Sequence, residues 1–233
     1  MFLVEDAISN TAGLLGDTAR AAMLLSLMGG LALPAGELAR IANVAPQTAS
    51  GHLAKLLSGR LLRVECQGRH RYYRLAGSQV ADALEALLVL SNRSTRDANA
   101  QAAKLTPGSL GYARTCYAHI AGWLGVQIVE SLQQRSLLKP ADAKTYKITS
   151  AGHEWFEALG INLPSSPAAR EKAARRCLDW TERKHHLAGP VGCAMYRRFR
   201  ELQWLAPVRD TRAVRVTLRG KQGLWDLLRI PIE

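Results

Sequence analysis

The chain has 233 residues, with 31 Lys and Arg against 19 Asp and Glu, a net charge of +12 and a pI near 10. That length allows one large domain or two to three small ones, the hydrophobic share of 48% supports a core, and four cysteines are too few for a disulfide framework. The basic balance suits a polyanionic partner, while the absence of P-loop, dinucleotide-binding, nucleophile-elbow and zincin motifs points away from an enzyme.

The first ten residues, MFLVEDAISN, carry acids and no basic n-region, so they do not read as a signal peptide. The longest apolar stretch, residues 21–34, is interrupted by Ser26 and two glycines and is too short to span a bilayer. The expectation is a cytoplasmic protein with no membrane partner. Residues 4–15 predict a first helix. Asp17 then caps a second over 18–28, whose Ala22, Leu25 and Met28 share a core face.

A short helix over 35–41 and the turn Ala42-Asn43-Val44 lead to a helix opened by Pro46, a residue suited to a first turn because its missing N–H is not needed there. Ala49, Leu53, Leu56 and Leu57 form its buried stripe. Gln47, Thr48, Ser50, His52 and Lys55 occupy the other face, where each can hydrogen-bond base edges or phosphates. Ser58-Gly59 ends it. Residues 62–67 and 71–75 predict two strands joined by Gly68-Arg69-His70. Arg60, Arg63, Arg69, Arg71 and Arg74 lie within fifteen residues, against the single acid Glu65.

A polar reading helix beside a basic hairpin is a winged helix-turn-helix. Gln47, Thr48, Ser50 and His52 would read bases. Lys55, Arg69 and Arg71 would hold phosphates, with His70 and Tyr73 completing the wing's surface toward double-stranded DNA. The same scaffold also serves as a protein-interaction module, and specific duplex binding in the presence of competitor separates the two readings.

Ser50-Gly51-His52-Leu53 and Gly68-Arg69-His70-Arg71-Tyr72 resemble the S-x-H-L and G-R-x-x-Y patterns of the ArsR/SmtB-type bacterial regulators, over about residues 6–92. The resemblance implies a homodimeric repressor that leaves its operator when an effector binds, with the first helix and the helix after the wing making the dimer. Two departures matter. The family's glycine before the leucine leading into the wing is replaced by Arg60, Gly59 coming one residue earlier. The family's usual metal ligands are also missing: residues 37–41 hold no Cys, and the last helix has Asp82 and Glu85 but no His.

Ser78 caps a helix reaching about residue 92 that is apolar on most sides, which fits a subunit interface or burial against the C-terminal half. Residues 94–110, polar and ending near Pro107-Gly108-Ser109, read as a linker between a first domain over 1–93 and a second over 111–233. The first 93 residues hold nine Lys and Arg against seven acids, so most excess charge lies beyond them, most simply as solvated basic faces.

The second domain is internally repeated. His119-Ile120-Ala121-Gly122-Trp123-Leu124-Gly125 matches His186-Leu187-Ala188-Gly189-Pro190-Val191-Gly192, and Ala113-Arg114-Thr115-Cys116 matches Ala174-Arg175-Arg176-Cys177. Each copy, about 111–163 and 172–230, reads as helix, helix, hairpin, helix, a winged-helix-like outline without a polar reading face. The fold class is therefore mainly α with small β-hairpins: a winged helix-turn-helix domain, then two winged-helix-like repeats serving as a sensor or dimer support.

Tyr112, Cys116, His119 and Trp123 fall on one helical stripe, and Cys177, Asp179, Glu182, His185 and His186 crowd ten residues of the second copy. If the copies face each other, Cys116, His119, Cys177 and His185 or His186 make a four-ligand site for zinc or another thiophilic metal. Thiol-redox sensing, an organic effector in a Trp-lined pocket and purely structural roles remain alternatives on the sequence alone.

Overall fold

The computed structural model describes residues 2–68, 70–91, 106–209 and 211–232, so Arg69 and most of the expected linker lie outside the described residues. The chain divides into two compact units, Met1–Leu84 and Glu85–Glu233. The division falls earlier than the sequence suggests, within a helix. The physical reason is Glu85, whose buried carboxylate is held by Arg114 and Arg212 of the second unit.

In the first unit α1 (Phe2–Leu15) is followed by α2 (Thr18–Ser26). The Asp17 side chain accepts the Arg20 backbone N–H, the N-cap that the sequence predicts. A two-residue strand β1 (Leu33–Pro34), not anticipated, precedes α3 (Ala35–Ile41). The turn, with Asn43 at φ +52°, leads to α4 (Pro46–Ser58), which buries Ala49, Leu53 and Leu56. Then β2 (Leu62–Gln67) and β3 (His70–Leu75) pair antiparallel, and β1 adds to the outer edge of β3, giving a sheet ordered β1-β3-β2. Helix α5 (Ser78–Ser91) begins in this unit and ends in the second.

The second unit is two copies of one pattern. In the first, β4 (Arg114–Cys116) and β5 (His119–Ala121) form a tight hairpin, followed by α6 (Gly122–Gln134), the wing-like hairpin of β6 (Leu138–Pro140) and β7 (Tyr146–Ile148), and α7 (Ser150–Ala158). After a short α8 (Pro167–Glu171) the second copy runs β8 (Arg175–Leu178), β9 (His185–Ala188), α9 (Gly189–Glu201), β10 (Leu205–Pro207), β11 (Val214–Val216) and α10 (Leu218–Leu228). The sequence reading of a leading helix in each copy is thus corrected to a β-hairpin. Residues 114–121 are all buried or half-buried, so the apolar period that separates helix from strand is lost.

The copies interlock. The Val214 N–H donates to Ala113 O, and the Tyr146 N–H donates to Ala174 O, each at 2.8 Å, so each copy's wing strand completes the other copy's leading hairpin. Bridges between Arg114 and Ala213, and between Thr145 and Arg175, repeat the relation. One continuous core, including Leu124, Phe156, Val191, Phe199 and Leu224, runs through both copies. Among the described residues no helix is long and apolar enough to cross a membrane.

Candidate functional site

The exposed face of α4 carries Gln47, Thr48, Ser50 and Lys55, all solvent-accessible. Ser50 Oγ donates back to Pro46 O at 3.0 Å, which leaves its oxygen free to accept. His52 departs from the expectation. It is half-buried, its Nδ1 lies 3.3 Å from Arg20 Nη1 and 3.6 Å from Asp17 Oδ1, and it ties the reading helix to the start of α2. Arg20 is itself buried, with Nε donating to Leu14 O and Nη2 to Gly13 O. Asp17 therefore caps α2 and faces the α4 imidazole at once. Spacing along the chain gives no hint of such a contact.

On the wing, His70 and Arg71 are exposed and Tyr73 is half-buried. Arg63 and Arg74 share Glu65, at 3.8 and 3.0 Å, so part of the hairpin's positive charge is neutralised locally. Arg60, at the exit of α4, adopts φ +57°, a left-handed conformation that glycine takes most cheaply. The departure from the ArsR-type pattern thus falls on the one residue of that turn whose backbone is strained.

The second unit brings four of its seven candidate residues together. The β4–β5 register sets Cys116 opposite His119, and the β8–β9 register sets Cys177 opposite His186. Cross-strand neighbours present side chains side by side, so each hairpin offers one Cys and one His. The ligand atoms of all four lie within 4.8 Å of one another. The two Nε2 atoms are 3.0 Å apart and the two Sγ atoms 4.0 Å. Cys116, His119 and His186 are buried and Cys177 is 9% exposed. The pairing arises from hairpins, not from the helical stripe that the spacing suggested.

The other three candidates stand apart from this cluster in different ways. Asp179 backs it. Its Oδ2 lies 3.3 Å from His186 Nδ1 and accepts from Arg114 Nη2 at 2.9 Å and the Gly122 N–H at 2.7 Å. Its Oδ1 accepts from the Thr181 hydroxyl and from the Thr181 and Glu182 N–H groups. His185 turns away to Arg176. Glu182 is half-buried and supplies that backbone N–H, and its carboxylate is not among the clustered ligand atoms. Sequence reasoning missed Arg114, which links Asp179 to Glu85, 3.7 Å away, and whose guanidinium also stacks over Trp180.

Close approach is built in on both sides of the cluster. A Cβ on Gly125 would come 2.6 Å from Ile120 O and 3.3 Å from His186 Cβ; one on Gly192 would meet Leu187 O and lie 3.3 Å from His119 Cβ. The electrostatics reflect this packing. The hydrogen bond between the thiols pulls the Cys177 thiol down and pushes Cys116 up; His119 and His186 favour the Cys177 thiolate, and burial reinforces the rise at Cys116. Burial opposes charge on His186, yet Asp179 and Cys177 together raise it to about 9. Burial likewise opposes charge on Asp179, but His186, Arg114 and Thr181 together hold it well below the usual carboxylate range.

A family model described as a helix-turn-helix domain matches residues 15–65. The HTH-type transcriptional regulator YdfF of Bacillus subtilis (strain 168) is 45% identical over 225 residues, 97% of this chain and 98% of that protein. The homodimeric winged helix-turn-helix domain of Mycobacterium bovis Mb0332, described as a possible ArsR-family regulator, is 26% identical, covering 39% of this chain and 82% of that one at a TM-score of 0.36. NolR from Sinorhizobium fredii is 21% identical, covering 38% and 88% at a TM-score of 0.36. Matched over almost its whole length by YdfF, the chain belongs to the HTH-type transcriptional regulators, with a helix-turn-helix domain near its start.

Proposed function

We propose that the protein is a homodimeric repressor acting in the cytoplasm, released from its operator when an effector, a metal ion or a small organic molecule, engages the second unit. The observation that carries the DNA reading is the outward face of α4, with Gln47, Thr48, Ser50 and Lys55 exposed beside a wing that presents Arg71. Short polar groups on a groove-sized helix suit base edges, and the wing's cation suits phosphate. Two exposed apolar pairs support the dimer: Val4 and Ile8 of α1, 65% and 66% exposed, and Leu87 and Leu90 of α5, 44% and 62% exposed. A cleft of about 590 Å³ lined by Tyr146, His153 and Arg170 suits an organic effector; it has no tryptophan in its wall.

The test is a mobility-shift titration on the DNA upstream of the protein's own gene, with competitor present. Specific retardation by the wild type, lost in Gln47→Ala/Thr48→Ala, supports the reading. Arg71→Ala should weaken binding to all duplexes and reduce the slope of log affinity on log salt by about 1 for each site removed. Equal affinity of wild type and double variant for operator and competitor would favour the protein-interaction module.

A further inference from the structure

We infer that Cys116, His119, Cys177 and His186 bind one thiophilic metal ion, zinc foremost, in a closed tetrahedral site that joins the two copies of the second unit. The inference concerns that unit alone and stands whether or not the DNA reading holds.

Three independent features support it. The first is the donor set. Two thiols and two imidazoles within 4.8 Å are the S₂N₂ combination that selects zinc. The second is geometry. A tetrahedral ion with bonds of about 2.0–2.1 Å to nitrogen and about 2.3 Å to sulfur holds its nitrogens about 3.3 Å apart and its sulfurs about 3.8 Å apart. The facing Nε2 atoms are 3.0 Å apart and the Sγ atoms 4.0 Å, both close to those separations, and the nitrogen–sulfur pairs, all within 4.8 Å, would draw in around the ion. The third is support. Asp179 lies 3.3 Å from His186 Nδ1, on the far side of that ring from the shared Nε2, the carboxylate–histidine arrangement that orients a metal-bound imidazole.

The site is also closed. Four protein ligands, three of them buried, leave no open position for water or substrate, as in structural zinc sites. Each copy supplies one Cys and one His from facing strands of one hairpin, so the ion would cross-link two hairpins that sequence holds 61 residues apart at the thiols.

The experiment loads the full-length, reduced protein with Zn²⁺ or Co²⁺, removes excess ion and measures bound metal and absorbance. The expected result is about one ion per chain. Cobalt should give the visible bands of a tetrahedral site with thiolate-to-metal charge transfer. Cys116→Ser and Cys177→Ser should each lose tight binding, while Cys66→Ser/Cys193→Ser keeps it. Should the first two variants fail to fold, thiol alkylation of the wild type decides: zinc must protect Cys116 and Cys177, and a chelator must expose them. Reduced, folded protein that takes up neither ion overturns the inference, as does a charge-transfer band surviving in both serine variants. Loss of two hydrogens with a Cys116–Cys177 linkage, and no metal uptake after reduction, assigns the pair to thiol oxidation instead.

Discussion

Arg60 leaves α4 at φ +57°, and a side chain with a Cβ pays for that conformation with steric strain. Arg60→Gly should therefore raise the stability of the first unit by about 0.5–1 kcal/mol, relief of strain outweighing the glycine's chain entropy, as a chemical denaturation midpoint would register. Gly125 and Gly192 give the opposite case. A methyl group on either would press on a carbonyl of its own hairpin and on a histidine of the other copy. Gly125→Ala should cost the second unit about 1–3 kcal/mol and displace His186, visible as a lower thermal midpoint. Arg114 is fully buried between Asp179 and Glu85. Replacing it with Leu leaves two carboxylates without their shared cation and should cost about 3–5 kcal/mol in urea unfolding.

The helix caps set local stability at the scale of elements. Thr149 and Thr217 accept the N–H groups of Gly152 and Gly220 at the starts of α7 and α10. Each Thr→Ala change should cost about 1 kcal/mol, and their equivalence tests the repeat energetically. The Asp17 cap differs in being charged. The Arg20 N–H holds the Asp17 carboxyl below its ordinary 3.8. A carboxyl lowered on folding adds stability above that value and loses it as pH falls through its lowered value. The stability gap between wild type and Asp17→Ala should thus be flat near neutrality and close in acid. The reading helix and its wing were legible in the sequence because one face is apolar and the other polar, and Pro46 and Gly68 mark their ends. The hairpin over Cys116 to His119 was not. Its turn uses Tyr117 at φ +55° in place of a glycine or asparagine, and a two-residue turn sets Cys and His as close as one helical turn would. The approach of Cys116, His119, Cys177 and His186 to one another was nonetheless anticipated, since repeated sequences placed face to face bring equivalent residues together. Asp179 was a candidate for the same cluster but stands behind His186. Its contacts depend on a longer turn present in the second copy only.

The two units differ in what holds them at the scale of the whole molecule. The first rests on a three-stranded sheet and the helices of its own sequence; the second rests on pairings between copies and, on the inference above, on an ion. Exhaustive chelation should therefore lower the thermal midpoint of the second unit and leave the first transition where it is, as calorimetry would resolve. The interlocked wings carry a further consequence, for synthesis. Ala113 accepts its hydrogen bond from Val214, which the ribosome makes about 100 residues later. Translation proceeds at about 5–20 residues per second, so the winged unit can close while the second unit waits about 5–20 s for that strand. During that interval the first copy has a leading hairpin with no partner strand, and a transcript that stops short of residue 216 leaves a folded head on an unfinished tail.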